Sequence, residues 1–511
     1  MSATKKQVPL FSLVLAGAAA TLVTAKVIQK VRTRNARKKL EEKAALGEQV
    51  DIPGGCPYSR LSPMPLVEAI QFLTGYRKYV AKKTNHFGCP IFRAHPGVET
   101  VLVTDHASVK AAFAMGPDKL DRDGTVAFGP IRVYYEDMLR GCIPALVSDQ
   151  KRHANRRKLI EEVLAVPSTQ KRFQEAVDEF IQKSWPFFRQ DLNTSQRLDW
   201  ASFHAANTFV MQWMFDLEGA DGQSISEWTD QVMGLRSDRW MSNSLGKLAK
   251  PEPKQEMIDW SEAEMKRIQE SLPFQKHYRD IGAKYGFTPE ETAAHLLWAS
   301  HFNASGGIYG TLFPTICMMA DRPEMARKLL EEQEQLDKIL QVKDNKSDIA
   351  KELDQLPYLN AFCNEAFRFF GRPKHYYRKA KEDVVLPTSD GKRVHIPRGT
   401  VLGLVSFTAR QDPVVFPGPE EFLPQRYLDN PELEGDIFSM GPPSGTDGAT
   451  YNCAAAAGRW AIRAFKVSFV SFLRKYGTGD MIALDPHPVI DIDAKVGINE
   501  KQTIMLKLSK S

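Results

Sequence analysis

The sequence predicts a mainly helical α+β fold, with one large helical domain, small β-sheets and an N-terminal membrane helix. Three observations predict it: a charge-free apolar segment near the start, helical periodicity through the middle, and short β-branched runs on either side of that middle. With 43% hydrophobic residues in 511, most of the chain can bury a core. We expect a membrane anchor and basic collar over residues 1–51 and one globular domain over residues 52–511.

The start of the chain combines an apolar segment with a basic one. Residues 8–25 carry no charge, and Val27 and Ile28 extend this stretch to the length of a transmembrane helix. Residues 26–43 contain eight Lys or Arg and two Glu, which accounts for the whole net charge of +6. The positive-inside rule predicts that the basic collar and the globular part face the cytosol, and we expect the membrane to be that of the endoplasmic reticulum. A cleaved signal peptide is the alternative. The rest is near neutral, so no nucleic-acid groove is predicted.

Periodicity and residue type place the regular elements of the globular part. Apolar residues recur at helical spacing in six segments, and β-branched residues mark five strand regions. The predicted helices cover residues 152–164, 170–185, 261–272, 289–319, 323–340 and 358–370, and the strand regions are 91–104, 384–386, 394–396, 401–405 and 503–508.

Three glycines and an asparagine lie on one face of the predicted helix 289–319. Asn303, Gly306, Gly307 and Gly310 follow α-helical spacing. Each glycine inside a helix costs roughly 0.5–1 kcal/mol relative to alanine, so three on one face require a reason. The pattern predicts the close approach of a large flat group or a bulky substrate. Tight packing against another helix is the alternative. We also expect Pro314 to kink this helix.

Two charges lie in the otherwise apolar helix 358–370. Glu365 and Arg368 are three residues apart and can pair along the helix. Arg426, in the segment 422–427, is a candidate third member, which would make the pair a buried network. An ordinary surface ion pair is the alternative.

The six cysteines show no CxxC pair, so no disulfide framework or zinc site is predicted. A glycine- and proline-rich loop leads from Phe438 to Cys453, directly before a predicted helix start. Unpaired amides and the helix dipole at that position lower the pKa of a thiol and favour a thiolate. A buried cysteine beside a turn is the alternative.

In this order and spacing, the glycine-bearing helix, the ExxR helix, the FxPxRY segment and the cysteine loop resemble the cytochrome P-450 superfamily, from about residue 52 to the C-terminus. The resemblance implies heme b (iron protoporphyrin IX), with Cys453 as the thiolate ligand of the metal. It implies that the ExxR network holds the core beneath the heme and that three further residues meet the propionates. The implied residues are Glu365, Arg368 and Arg426 for the network, and His153, Arg157 and Arg378 for the heme.

The chain departs from the oxygen-activating members of that superfamily. Tyr309 and Gly310 stand where those members carry an acid and a threonine that deliver protons, and the loop to Cys453 is longer than usual. The segment 302–307, Phe-Asn-Ala-Ser-Gly-Gly, is similar to the FN-x-x-GG motif of allene oxide synthases, hydroperoxide lyases and epoxyalcohol synthases. This branch implies rearrangement of fatty acid hydroperoxides by O–O homolysis, without oxygen, NADPH or a reductase.

The resemblance also implies residue roles and a product class. Asn303 would orient the hydroperoxide and act with Cys453 in catalysis, and a lipoxygenase would supply the substrate. Segment 121–125 lacks the aromatic residue that favours allene oxide formation, so an epoxyalcohol synthase or hydroperoxide lyase is preferred. A reductase-dependent monooxygenase and a non-catalytic heme-binding protein are the alternatives. The expected substrate pocket includes Phe302, Gly306, Gly307, Phe128 and Val496.

Overall fold

The computed structural model describes most of the globular part of the chain. Its regular elements are sixteen α-helices, two π-helical segments, one 3₁₀ segment and eleven strands. The described residues are 31, 34, 35, 37–54, 71, 76–94, 100–116, 118–121, 138, 139, 150–182, 196–233, 254–342, 349–371, 376–438, 460–476, 483–491 and 502–507.

The described helices confirm a mainly helical fold. In chain order they are α1 Tyr76–Phe87, α2 His106–Ala114, α3 Gln150–Ala165, α4 Pro167–Gln182, α5 Leu198–Phe215, α6 Gly222–Met233, α7 Gln255–Glu270, α8 Arg279–Lys284, α9 Pro289–Leu297, α10 Gly306–Met319, α11 Pro323–Val342, α12 Ile349–Leu353, α13 Pro357–Phe370, α14 Ser406–Ala409, α15 Gln425–Asp429 and α16 Trp460–Tyr476. The π-helical segments are Phe274–Tyr278 and Trp298–Ser305, and the 3₁₀ segment is Pro431–Asp436.

Each of the six predicted helices is present, with its ends moved by a few residues. The predicted helix 289–319 is a composite of α9, the π-helical segment Trp298–Ser305 and α10, which together we call the central helix. Helix α5 escaped sequence prediction because it is apolar nearly all round and so lacks an amphipathic stripe.

The strands form three small sheets. They are β1 Gln49–Asp51, β2 Ile91–Ala94, β3 Thr100–Val103, β4 Leu120–Asp121, β5 Gln196–Arg197, β6 Tyr376–Ala380, β7 Val384–Pro387, β8 Arg393–Ile396, β9 Val401–Leu404, β10 Ala483–Asp485 and β11 Met505–Lys507. Their orders are β1-β8-β7, β2-β3-β9-β6-β4 and β10-β11-β5. Strand β1 pairs in parallel with β8, so a sheet strand precedes the predicted domain boundary at residue 52.

The main hydrophobic core lies among the helices. Helix α10 packs against α5, α13 and α16, and α5 also packs against α4 and the π-helical segment of the central helix. A second apolar cluster lies between the sheets and α2. The core therefore places the ExxR helix, α13, directly against the central helix.

Among the described residues, no helix combines the length and apolar character needed to cross a bilayer. The predicted anchor over residues 8–28 lies outside the described residues.

We expect Gly222→Ala to destabilise the fold, because its Cβ would overlap the backbone carbonyl of Trp200 where α6 begins against α5. Overpacking of this kind costs about 1–3 kcal/mol in the free energy of unfolding, measurable by urea denaturation. The neighbouring Gln223→Ala, at an exposed position, is the control. Equal stability of the two variants would show that the two helices are not in such close contact.

Candidate active site

The central helix begins with a strong cap and then changes its hydrogen-bonding register. The Thr288 hydroxyl accepts from the amide of Glu291, whose carboxylate accepts from the amide of Thr288. From Trp298 to Ser305 the helix is π-helical, so each amide bonds to the carbonyl five residues before it. The Ser305 hydroxyl donates to the Ser300 carbonyl at 2.7 Å. The predicted α-helical spacing of Asn303 to the glycines is therefore wrong: Asn303 lies in a π-helical turn, while the glycines begin α10.

The glycine face of this helix is open. Asn303 is exposed, and Gly306 and Gly307 are partly exposed. A Cβ atom at Gly307 would meet no heavy atom of the described residues within 4 Å, and at Gly306 the nearest would be the His301 carbonyl at 3.6 Å. Tight helix packing, the alternative considered above, therefore does not explain these two glycines within the described structure. A flat group fits against this surface.

Aromatic side chains flank the open face. The Phe302 ring stacks on Trp298, with centroids 4.0 Å apart. Tyr309 is buried and its ring lies parallel to Phe203 of α5, with centroids 4.4 Å apart. The position at which an oxygen-activating relative would carry an acid is thus occupied by an aromatic ring packed into the helical core.

Glu365 and Arg368 form a fully buried ion pair on α13. Arg368 donates through Nε and Nη2 to the two carboxylate oxygens of Glu365, at 2.7 and 2.8 Å. Its remaining N–H groups donate to three backbone carbonyls, each at 3.0 Å, so all five donors are used. The three carbonyls belong to Arg410, Pro419 and Glu421.

The structure brings Arg426 to the same carboxylate. Its Nε lies 3.4 Å from Glu365 Oε2, and the side chain is 8% exposed. Arg426 also donates to the carbonyls of Pro417 and Gly418. Glu365 further accepts from the backbone amide of Leu423 at 2.8 Å. The structure therefore brings the three predicted members of the network together.

A fourth residue, Arg410, completes this region and was missed by sequence reasoning. It is buried and donates to the carbonyls of Phe367 and Gly371, at 2.5 and 2.7 Å, which end α13. Burial lowers the pKa of the Arg410 guanidinium to about 10. Burial and the Glu365 charge raise the pKa of Tyr427, whose hydroxyl lies beside this cluster. No sequence spacing indicated Arg410, because its partners are backbone carbonyls.

The described cysteines lack the properties of a metal ligand. Cys89, Cys317 and Cys363 are buried and free. Burial raises the pKa of Cys89 to about 11 and of Cys363 to about 12, and it also raises the pKa of Cys317. These three thiols therefore stay protonated at neutral pH. Cys453 lies outside the described residues.

The residues expected to meet heme propionates lie on two elements. His153 and Arg157 lie on α3, where Arg157 pairs with Glu161 at 3.2 Å, and Arg378 is buried on β6 and donates to the Tyr377 carbonyl. Beside them on α3, the buried Arg156 donates through Nε to His295 of the central helix at 3.2 Å. This contact, which sequence reasoning missed, joins α3 to the central helix.

Two predicted pocket residues lie outside the described residues. These are Phe128 and Val496. The start of the cysteine loop is described: Phe438 has φ of +49°, a conformation unusual for a bulky residue. Its ring packs on His106 and Phe113, and its carbonyl accepts from the Tyr376 hydroxyl at 3.1 Å.

We expect Glu365→Gln to destabilise the protein strongly, because it leaves Arg368 and Arg426 without a buried counter-charge. Breaking a buried pair typically costs about 3–5 kcal/mol, measurable by thermal or urea unfolding. Glu324→Gln is the matched control, since Glu324 and Arg327 form the same i,i+3 pair at 2.8 Å on the exposed side of α11. Similar small effects in both variants would contradict a structural role for the buried network.

Comparison with known proteins agrees with this geometry. Residues 287–442 match the family model "Cytochrome P450"; the matched region includes the central helix, the ExxR helix and Arg426, and ends before Cys453. The solved structure of ligand-free cytochrome P450 OleT superposes with a TM-score of 0.62 at 15% identity, covering 90% of this chain and 99% of that one. A variant of OleT in complex with arachidonic acid gives a TM-score of 0.61 at 16% identity, covering 90% and 98%.

The relatives that align over most of this chain are named as hydroperoxide-converting enzymes. A mitochondrial hydroperoxide bicyclase of Plasmodiophora brassicae is 24% identical, over 81% of this chain and 76% of its own. A mitochondrial hydroperoxide bicyclase of Ectocarpus siliculosus is 26% identical, over 83% and 88%. An epoxyalcohol synthase of the same organism is 25% identical, over 79% and 87%. Residues 287–442 thus match the cytochrome P450 family model, the chain has the fold of a solved cytochrome P450, and it is similar over most of its length to hydroperoxide bicyclases and an epoxyalcohol synthase.

Proposed function

We propose that this protein is a heme-thiolate enzyme that rearranges polyunsaturated fatty acid hydroperoxides without oxygen, NADPH or a reductase. The observation that carries the proposal is the central helix. An exposed amide, Asn303, precedes an open glycine surface, and the residue in the usual acid position, Tyr309, is packed against Phe203. Relatives named hydroperoxide bicyclase and epoxyalcohol synthase support the same reaction type.

The residues present fit a heme cofactor. The bare surface at Gly306 and Gly307 admits a flat ring system, and Cys453 would ligate the iron. His153, Arg157 and Arg378 would hold the propionates. When bound, a thiolate-ligated heme supplies the iron at which the O–O bond of the hydroperoxide is cleaved.

The protein's own contribution is to bind and orient the substrate. The Asn303 side chain offers two N–H donors and a carbonyl acceptor, which suits the two oxygens of a hydroperoxide. Holding those oxygens in one geometry reduces the entropic cost of the reaction. It would also keep the substrate close to the iron after the O–O bond is cleaved. The preceding residue, Phe302, is held in place by stacking on the buried Trp298.

The same site lacks a feature that a monooxygenase requires. Cleavage of molecular oxygen consumes protons, which a positioned acid and alcohol usually deliver. A hydroperoxide already contains the O–O bond, and its isomerisation conserves every atom, so no proton supply from Tyr309 or Gly310 is needed. This favours the hydroperoxide reaction over the reductase-dependent alternative.

Homolysis of the O–O bond would leave a radical on the substrate, and the product depends on the reaction that consumes this radical. Return of the hydroxyl to the epoxyallylic radical gives an epoxyalcohol, and carbon-chain scission gives an aldehyde, the hydroperoxide lyase outcome. Ring closure, as the name bicyclase denotes for two relatives, is a further isomerising outcome, whereas loss of a hydrogen atom from the radical together with the cleaved hydroxyl, as water, would give an allene oxide. We favour the epoxyalcohol, because segment 121–125 lacks an aromatic residue and one relative is an epoxyalcohol synthase.

We further propose that residues 8–28 anchor the protein to the endoplasmic reticulum membrane. We also propose that a lipoxygenase supplies the fatty acid hydroperoxide. Because two relatives are named mitochondrial, imaging of the full-length protein should use markers for both organelles.

We expect the purified ferric protein to consume a polyunsaturated fatty acid hydroperoxide without NADPH, seen as loss of conjugated-diene absorbance. Asn303→Ala should keep the heme spectrum but slow turnover by on the order of 100-fold, because the oxygens lose their orienting amide. Gln275→Ala, which removes an exposed amide from the other π-helical segment, is the matched control. An intact hydroperoxide after incubation with the wild-type protein would reject the proposal.

A second variant tests the ligand separately. Cys453→Ser should abolish the thiolate heme spectrum, whereas Cys317→Ser should leave it unchanged, because that buried thiol is protonated.

We expect Gly307→Leu to fold normally yet lose activity. No described atom lies within 4 Å of its Cβ position, and replacing a helical glycine by leucine raises helix propensity by roughly 0.5–1 kcal/mol. The unfolding midpoint should therefore stay equal or rise, while hydroperoxide turnover falls about tenfold or more as the side chain fills the substrate surface. Full activity in a stable Gly307→Leu variant would show that substrate does not lie there.

A further inference from the structure

The side of the π-helical turn opposite Asn303 carries a buried contact between a histidine ring and a carboxylate. His301 is 0% exposed, and its Nε2 lies 3.4 Å from Oε2 of Glu264 on α7. Asn303, two residues later, is exposed. Residues two apart in a helix do not share a face, so the pair holds the turn from behind while Asn303 projects from the front.

Glu264 is itself held firmly. Arg267 donates through Nη1 to both of its carboxylate oxygens, at 2.7 and 3.0 Å, and through Nη2 to the Glu218 carbonyl. Burial raises the pKa of Glu264, but the interactions with His301 and Arg267 outweigh it and lower that pKa below its usual value. The carboxylate is therefore charged at neutral pH, and it faces the His301 ring across the helix contact.

The end of the turn is tied to a different helix. Asn207 of α5 donates to the Ser305 hydroxyl at 3.2 Å and accepts from the Ala220 amide at 2.7 Å. Ser305 in turn donates to the Ser300 carbonyl. Buried polar contacts with α5 and α7 thus bracket Asn303 at positions 301 and 305.

Such brackets matter because π-helical turns are rare and strained relative to the α-helix. A return to α-helical bonding between 298 and 305 would rotate Asn303 relative to Gly306 and Gly307. The energy that prevents this must come from outside the helix, and the polar contacts of His301 and Ser305 contribute to it, together with the packing of the His301 ring on Trp228 and Trp260.

We propose that Glu264 and His301 form a positioning pair that holds the π-helical register and so aims Asn303 at the substrate. The pair does not touch substrate; it acts through the helix backbone. This inference rests on the proposed function for its effect on turnover, but the helical register itself can be measured independently.

The experiment compares three variants of the full-length heme-loaded protein. Glu264→Gln removes the charge with little change in shape. The double variant Glu264→Met with His301→Leu replaces both partners by apolar side chains, an exchange that often preserves stability. Glu270→Gln is the control, since it removes an exposed ion pair with Lys266 from the same helix.

Four quantities are measured: the melting temperature, the thiolate heme spectrum, hydrogen exchange of the amides in 298–305 against those in 310–319, and hydroperoxide turnover with its product ratio. We expect Glu264→Gln to speed exchange in 298–305 alone and to lower kcat about tenfold with little change in KM. The double variant should have the melting temperature of the wild-type protein, but its kcat and product ratio should still differ from those of the wild type. Glu270→Gln should match the wild type throughout.

Two results would overturn the proposal: unchanged exchange in 298–305 for Glu264→Gln, or recovery of kcat and product ratio together with stability in the double variant. The second result would make the pair a purely structural contact. If the wild-type protein leaves hydroperoxide intact, the proposed function fails, while the exchange measurements still decide whether the pair holds the π-helical register.

Discussion

The buried guanidinium of Arg368 is the constraint on which the architecture around the site depends. A cation removed from water must replace all of its hydrogen bonds, and Arg368 does so with Glu365 and three carbonyls. Those carbonyls belong to residues 410, 419 and 421, more than forty positions away in sequence. The chain from Arg410 to Glu421 must therefore fold around α13. This path also brings Arg426 to the Glu365 carboxylate.

Arg410 extends this constraint to the end of the helix. Two buried arginines lie close together, and each is surrounded by oxygen atoms instead of by another cation. Arg410 donates to the Phe367 carbonyl, which also accepts from the Gly371 amide, and to the Gly371 carbonyl directly after the helix. Because α13 packs on α10, fixing its end also fixes one wall behind the central helix. The stability of the fold and the geometry of the site are thus coupled through backbone carbonyls, which a sequence motif cannot indicate.

The sequence predicted the parts of this molecule whose signals are local. Amphipathic helices such as α4 and α11, and the pairing of Glu365 with Arg368, follow from residue spacing alone. Helix α5 did not, because an apolar surface on every side leaves no period to detect. The π-helical turn was also missed: its register depends on Glu264 and Asn207, residues remote in sequence from Asn303. The structure leaves the Cβ positions of Gly306 and Gly307 open but buries Gly310, and the α-helical geometry assumed at Asn303 was wrong.

Both ends of the cysteine loop are anchored by aromatic packing, Phe438 on His106 and Phe113, and Trp460 on Phe173 and Trp213. When both ends of a connection are fixed by the fold, its closure entropy grows only with the logarithm of its length, about 0.6 kcal/mol per doubling. Extra residues between these anchors therefore cost the folded state very little. Insertions here are thermodynamically cheap, and a lineage can lengthen or shorten this connection while leaving the helical core untouched.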